Sequence, residues 1–198
     1  MGKATLGTRT VFANLAYIRI TPWAESGEGT SAKFGPGELT YDVTEVVADT
    51  TTVEQAENES TALDHEFKQT PLYENITLGE KTFSCESIDL QNEVLKGLFG
   101  WKVDEDGNAY APVAYKELYA VVELGFNSTD DVIVLPKVLL NSRPVIASMK
   151  TDASRANING TCYTAYVNGE ETDMAVIKDG KKEDEGASIV AMVTEKEA

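Results

Sequence analysis

His65 is the single histidine of the 198-residue chain, and it sits between Asp64 and Glu66 in a polar stretch. A Ser-His-Asp or Cys-His site needs a base that is held by an orienting partner and aimed at a nucleophile. Any such site here would have to use that one imidazole. A zinc centre meets the same shortage, because the two cysteines, Cys85 and Cys162, stand far apart with no Cys-x-x-Cys spacing. The run Asp104-Glu-Asp106-Gly-Asn108 offers the closely spaced carboxylates that calcium prefers. An EF-hand loop, however, places Gly sixth and Glu twelfth, whereas Gly107 is fourth from Asp104 and the twelfth residue is Tyr115. A solvated hairpin tip accounts for the run better, and Lys181-Lys-Glu-Asp-Glu185 reads as an exposed loop. Gly27-Glu-Gly29 and Gly35-Pro-Gly37 lack the third glycine and the strand-to-helix setting of a dinucleotide site, and no phosphate-loop motif occurs. Paired carboxylates discriminate nothing in a chain with 33 acidic residues. The expectation is a protein that is not an enzyme, with no catalytic residue, metal or cofactor.

Charge narrows the partners. Against those 33 acidic residues stand 17 basic ones, a formal net charge of −16, and such a surface repels phosphate backbones. Tight nucleic-acid binding is therefore not expected. A hydrophobic content of 42% excludes a wholly disordered chain, and the length suits one domain with a real core over residues 1–198. The first ten residues have no apolar run of signal-peptide length, and no segment approaches the roughly 18 apolar residues of a membrane span. No membrane insertion is expected. Without a secretory signal, the Asn-x-Ser/Thr triplets at Asn58, Asn75, Asn127 and Asn159 read as chance matches, and both cysteines as reduced and core-facing.

The elements that would have to position any site are mostly strands. Residues 117–126 alternate, with Leu118, Ala120, Val122, Leu124 and Phe126 on one face and Glu117, Tyr119, Val121 and Glu123 on the other, the pattern of a half-buried strand. Residues 11–20, 132–140 with an interruption at Pro136, 161–167 and 187–193 are similarly rich in β-branched and aromatic residues. Asp106-Gly107, Asn159-Gly160, Asn168-Gly169 and Asp179-Gly180 are dipeptides that accept the positive φ of a type I′ hairpin, so turns are expected at each. These signals predict a mainly β chain, an antiparallel β-sandwich or barrel-like domain.

One segment has helical period. Leu90, Val94, Leu95, Leu98 and Phe99 share one side of a short helix over about 89–99, with Ser87 or Asp89 as its cap and Gly100 as its left-handed stop. Residues 24–40, with Gly27, Gly29, Gly35, Pro36 and Gly37, read as an extended connection. Residues 45–70, rich in Thr, Glu and Asn, read as a long hairpin or loop with few groups to bury.

Three stretches together resemble the tail tube (major tail) proteins of long-tailed bacterial viruses. The first is Val46-Val-Ala-Asp-Thr-Thr-Thr-Val-Glu-Gln-Ala-Glu-Asn-Glu59, leading into Thr70-Pro-Leu-Tyr73 and Lys81-Thr-Phe-Ser-Cys85. The second is the helix Asp89-Leu-Gln-Asn-Glu-Val-Leu-Lys-Gly-Leu-Phe-Gly100, and the third is Val134-Leu-Pro-Lys-Val138 followed by Asn157 to Val167. The likeness lies in the order of elements across residues 40–170. It implies a virion component built in the host cytoplasm, subunits that self-assemble into hexameric rings, and rings stacked as a hollow tube through which DNA passes without specific binding. Self-contacts and other tail proteins are the implied partners, with 24–40 and 45–70 as arms. An acidic lumen would keep phosphates from sticking, and Glu117 and Glu123 are the candidate lumen-facing residues. Two other classes fit the same residues: another tail part, such as a baseplate or terminator subunit, and a carbohydrate-binding or adhesion β-sandwich with Trp23, Trp101, Tyr110, Tyr115 and Tyr119 as its platform.

Overall fold

The computed structural model describes residues 12–26, 33–63, 73–88, 90–114, 117–145, 154–180 and 189–195. In chain order the strands are β1 (Leu15–Ser26), β2 (Lys33–Pro36), β3 (Tyr41–Val43), β4 (Thr52–Gln55), β5 (Glu59–Leu63), β6 (Tyr73–Thr77) and β7 (Lys81–Ser87). After helix α1 (Asn92–Phe99) follow β8 (Lys102–Val103), β9 (Ala109–Tyr110), β10 (Leu118–Phe126), β11 (Val132–Leu140) and β12 (Arg143–Val145). The last group is β13 (Arg155–Tyr163), β14 (Ala165–Val167), β15 (Glu170–Thr172), β16 (Ala175–Ile177), a 3₁₀ turn at Ile189–Met192 and β17 (Val193–Thr194). The chain is mainly β and antiparallel, as the alternation and turn residues predict. The described residues group into two compact units, the first within Met1–Thr44, Tyr119–Lys137 and Thr164–Ala198, the second within Glu45–Leu118 and Val138–Tyr163.

In the first unit the sheet runs β2-β1-β10-β11, with β3 also on β1 and β16 on β11. The three strands β15-β14-β17 form a second sheet. Trp23, Val121, Val132 and Val134 from the larger sheet pack with Ala165, Val167, Ile189 and Val193 in one buried cluster, which makes this unit a two-layer sandwich. Strand β10 departs from the expected half-burial: Ala120, Val121, Val122, Glu123, Leu124 and Gly125 are all buried, so both its faces are covered. Strand β11 likewise runs unbroken through Pro136. Its pairing with β16 ends at Val134, so the residue that has no N–H to give lies beyond that ladder.

The expected connection at 24–40 is partly paired: Trp23–Ser26 register with Lys33–Pro36, and Ile18–Ile20 with Tyr41–Val43. Between those ladders 37–40 face only Thr21 and Pro22, a bulge in which a Cβ on Gly37 would sit 2.8 Å from the Pro22 carbonyl oxygen. Residues 27–32 of this segment lie outside the described ones. Asn168-Gly169, at φ 51° and 83°, forms the predicted hairpin between β14 and β15. Asp179 has φ 54°, but Gly180 is buried and does not share the left-handed region. The expected strand 161–167 is broken at Thr164, and within 187–193 the described residues form the 3₁₀ turn and only the start of β17.

In the second unit β13-β7-β4 form the sheet, with β12 on the other edge of β13. Phe83, Cys85, Ala156 and Ile158 are buried along it. Asn159-Gly160 is no turn: it lies inside β13, where a Cβ on Gly160 would come 2.4 Å from Val138 Cγ1 and 2.8 Å from the Leu139 carbonyl oxygen. The glycine serves close approach of two backbones. Helix α1 buries Val94, Leu95 and Leu98, and Gly100 ends it at φ 68°, as its sequence predicts. Its N-cap is Gln91, which makes no side-chain capping bond; Ser87 instead ends β7, and Asp89 lies outside the described residues. Gly160→Val should therefore cost about 2 kcal/mol or more of unfolding free energy, read as a lowered midpoint in a urea titration with unchanged slope.

Candidate functional site

The outstanding feature of the second unit is a single long β-ribbon. Strand β4 pairs with β7 from Thr52↔Ser84 to Gln55↔Lys81, and β5 pairs with β6 from Glu59↔Thr77 to Leu63↔Tyr73. The numbers of the paired residues add to the same total throughout, so the two ladders keep one register. The Ala56 N–H donates to the Glu80 carbonyl at 2.9 Å in the gap between them, and the Gly79 N–H to Asn58 Oδ1 at 3.1 Å. A Cβ on Gly79 would stand 1.9 Å from the Ala56 carbonyl oxygen, so only glycine allows this junction to close. Four pairs and then five, separated by the junction at 56–58, span twelve residues from Thr52 to Leu63, ~40 Å at ~3.3 Å per residue, about two thirds of it beyond the β4–β7 ladder.

Along the ribbon Ile76 and Leu78 are 61% and 73% exposed, and Glu54, Glu57, Glu59 and Glu80 also face solvent. Among the described residues β5 and β6 pair only with each other. An isolated two-stranded ribbon is marginal in water, and its outer edges present unpaired N–H and C=O groups. Within the segment 45–70, β4 and β5 supply one arm of this ribbon and find their partners at 73–84, while His65 and the flanking Asp64 and Glu66 lie outside the described residues.

The sequence candidates are distributed as follows. Glu117 is exposed, just before β10. Glu123 is 4% exposed, and its register partner across β1 is Arg19, which is in turn the partner of Asp42 on β3. Arg19 Nε binds Asp42 Oδ1 at 2.9 Å and its guanidinium lies 4.5 Å from the centre of the Tyr17 ring. Glu123 therefore belongs to a cross-strand charge row, a role the alternation pattern alone could not reveal. Trp23 and Tyr119 come together with Phe34 around Lys137, whose Nζ is 5.0 Å, 5.0 Å and 5.8 Å from the three ring centres. Trp23 is buried and spends its Nε1–H on the Pro136 carbonyl at 3.1 Å, so it offers no open platform. Tyr110 is exposed and donates its hydroxyl to Asp104, Trp101 is half-buried, and Tyr115 lies outside the described residues.

Asp104–Asn108 is the expected hairpin tip between β8 and β9, with Gly107 alone at positive φ. The Asn108 side-chain amide and backbone N–H hold the Asp104 carboxyl below the usual carboxylate range, with a further bond from Tyr110. Among the described residues no group of three or more metal-ligating side chains occurs, and no helix is long and apolar enough to cross a membrane.

No family model matches the chain, and no curated protein matches it. Among solved structures, a chain of the anti-feeding prophage baseplate, described as six-fold symmetrised, aligns over 88% of this chain and 99% of its own at 8% identity and a TM-score of 0.35. A likeness at that level carries no argument, and the class assigned here, a mainly antiparallel β protein with one short helix, rests on this chain's own strands.

Cys85 and Cys162 are buried and in no disulfide, as their sequence setting suggests. Burial, with a smaller contribution from the Glu86 charge, pushes the Cys85 thiol from 9.0 up to about 12. The folded state then holds this proton more tightly than the unfolded one, so the contribution to stability is complete below pH 9.0 and is lost as pH rises towards about 12. Alkylation of Cys85 in the native protein at pH 8 should be at least ~100-fold slower than in urea, measured by mass spectrometry, and Cys85→Ala should flatten the alkaline fall in stability.

Proposed function

We propose that this protein is a structural subunit of a virus-tail-type assembly, most concretely a tail tube protein that forms hexameric rings stacked into a hollow tube. The observation that carries the reading is the one-register ribbon of β4–β5 and β6–β7, whose outer strands β5 and β6 pair among the described residues only with each other and which carries the exposed Ile76 and Leu78. Such an edge is stabilised by pairing with a strand of another subunit, and a head-to-tail contact that does not close on itself propagates along an axis. The sequence resemblance supplies the tail context. The net charge of −16 is consistent with a channel wall that DNA passes without being held, with Glu117 as the solvent-facing member of the two lumen candidates.

The test is self-assembly. Negative-stain electron microscopy over a concentration series, beside mass from light scattering, should show hollow tubes or stacked rings. The double variant Ile76→Asp, Leu78→Asp should suppress them at least tenfold while shifting the thermal midpoint by no more than about 2 °C, because both side chains lie outside the core. A discrete ring would reassign the subunit to a terminator or baseplate position, and a monomer at every concentration would overturn the reading.

A further inference from the structure

We infer that the segment Ile189–Glu195 is a strap that opens independently of the sheet it covers, and that Lys137 in its aromatic box is the catch that holds it shut. The strap lies along β14 by a ladder of two residue pairs, Tyr166↔Thr194 and Val167↔Val193, and by a bond from the Asn168 N–H to the Met192 carbonyl at 3.0 Å. It closes the sandwich by burying Ile189 and Val193, which are 2% and 3% exposed. So short a ladder contributes little by itself, and segments with few backbone bonds open at lower free energy than the strands beneath them.

What fixes the end of the strap is a charge. Lys137 Nζ meets Glu195 Oε1 at 2.6 Å, the lysine side chain being largely shielded and the glutamate about one third exposed. The same ammonium faces Trp23, Phe34 and Tyr119, whose rings also contact one another at 5.4 Å and 6.0 Å between centres. An ammonium held against aromatic faces in a partly desolvated pocket is fixed in place by them and pairs more strongly than one in water. Lys137 thus joins β1, β2, β10 and the strap at one atom. The second oxygen of Glu195 is buried with no hydrogen-bond partner among the described residues. The closed strap therefore carries an uncompensated polar group that opening returns to water, and this favours a reversible catch over a permanent one. When the strap opens, one edge of β14 and the side chains of Ala165 and Val167 become accessible to solvent.

Amide hydrogen exchange by NMR on the full chain tests this, with the Asn168 N–H as reporter because its acceptor is a strap carbonyl. In the native protein Asn168 should exchange at least 100-fold faster than Ile18 and Val122 after correction for intrinsic rates. Lys137→Met, which keeps a stem in the aromatic box, and Glu195→Gln should each speed Asn168 exchange about tenfold and leave Ile18 and Val122 unchanged. Glu170→Gln, the same loss of charge on exposed β15, should change none of them. Asn168 exchanging at the global rate in the native protein, or unmoved in both variants, would overturn the inference. Because the readout needs only the folded chain, it stands or falls separately from ring and tube formation.

Discussion

The obligation of every strand backbone to find partners governs this molecule more than any side-chain cluster. Strand β7 shows why. One edge is taken by β13 from Thr82 to Ser87 and the other by β4 from Lys81 to Ser84, so its register is fixed on both sides. The chain preceding β7 inherits that register, and with Gly79 allowing close passage of Ala56 it continues pairing outwards as β5 and β6. The ribbon is an extension of core order into solvent. It leaves the ladder that secures it, and among the described residues β5 and β6 pair only with each other, which is the physical basis for reading it as a surface of assembly.

A chain with twice as many acidic as basic residues must also place its few cations with care. The first unit uses two of them inside cross-strand networks. Arg19 stands between Asp42 and Glu123 on neighbouring strands, and Lys137 is packed among three aromatic rings with Glu195 as counter-ion. In the second unit Arg155 holds Glu86 at 2.8 Å across the β13–β7 pair. Each pair joins strands that are distant in sequence, so the cations act as cross-links while most carboxylates remain at the surface. Exposed pairs of this kind contribute little each. Lys137 differs because its surroundings are desolvated and aromatic.

Much of this was legible in the amino-acid order. Period-two alternation and the Asn168-Gly169 turn gave the β class, and helical spacing from Leu90 to Phe99 with Gly100 gave helix α1. These signals are local, carried by φ preference and by side-chain period, and they survive folding because nothing overrides them. Asn159-Gly160 failed for the opposite reason. A glycine needed for close approach to Val138 and Leu139 is identical in sequence to a glycine needed for a turn, and only the neighbouring strand distinguishes them. Pro136 misled similarly, since whether its missing N–H matters depends on where β16 stops pairing.

The sequence alone thus determined the element types, the acidic surface and the scarcity of groups able to do covalent or metal chemistry, because each is a property of composition or of short-range spacing. The tertiary structure decided the rest. That Glu123 is buried opposite Arg19, that Trp23, Phe34 and Tyr119 enclose Lys137, and that β4–β5 and β6–β7 share one register are facts about contacts between residues 10 to 114 positions apart. Register is set by which backbones meet, and no local pattern encodes that meeting.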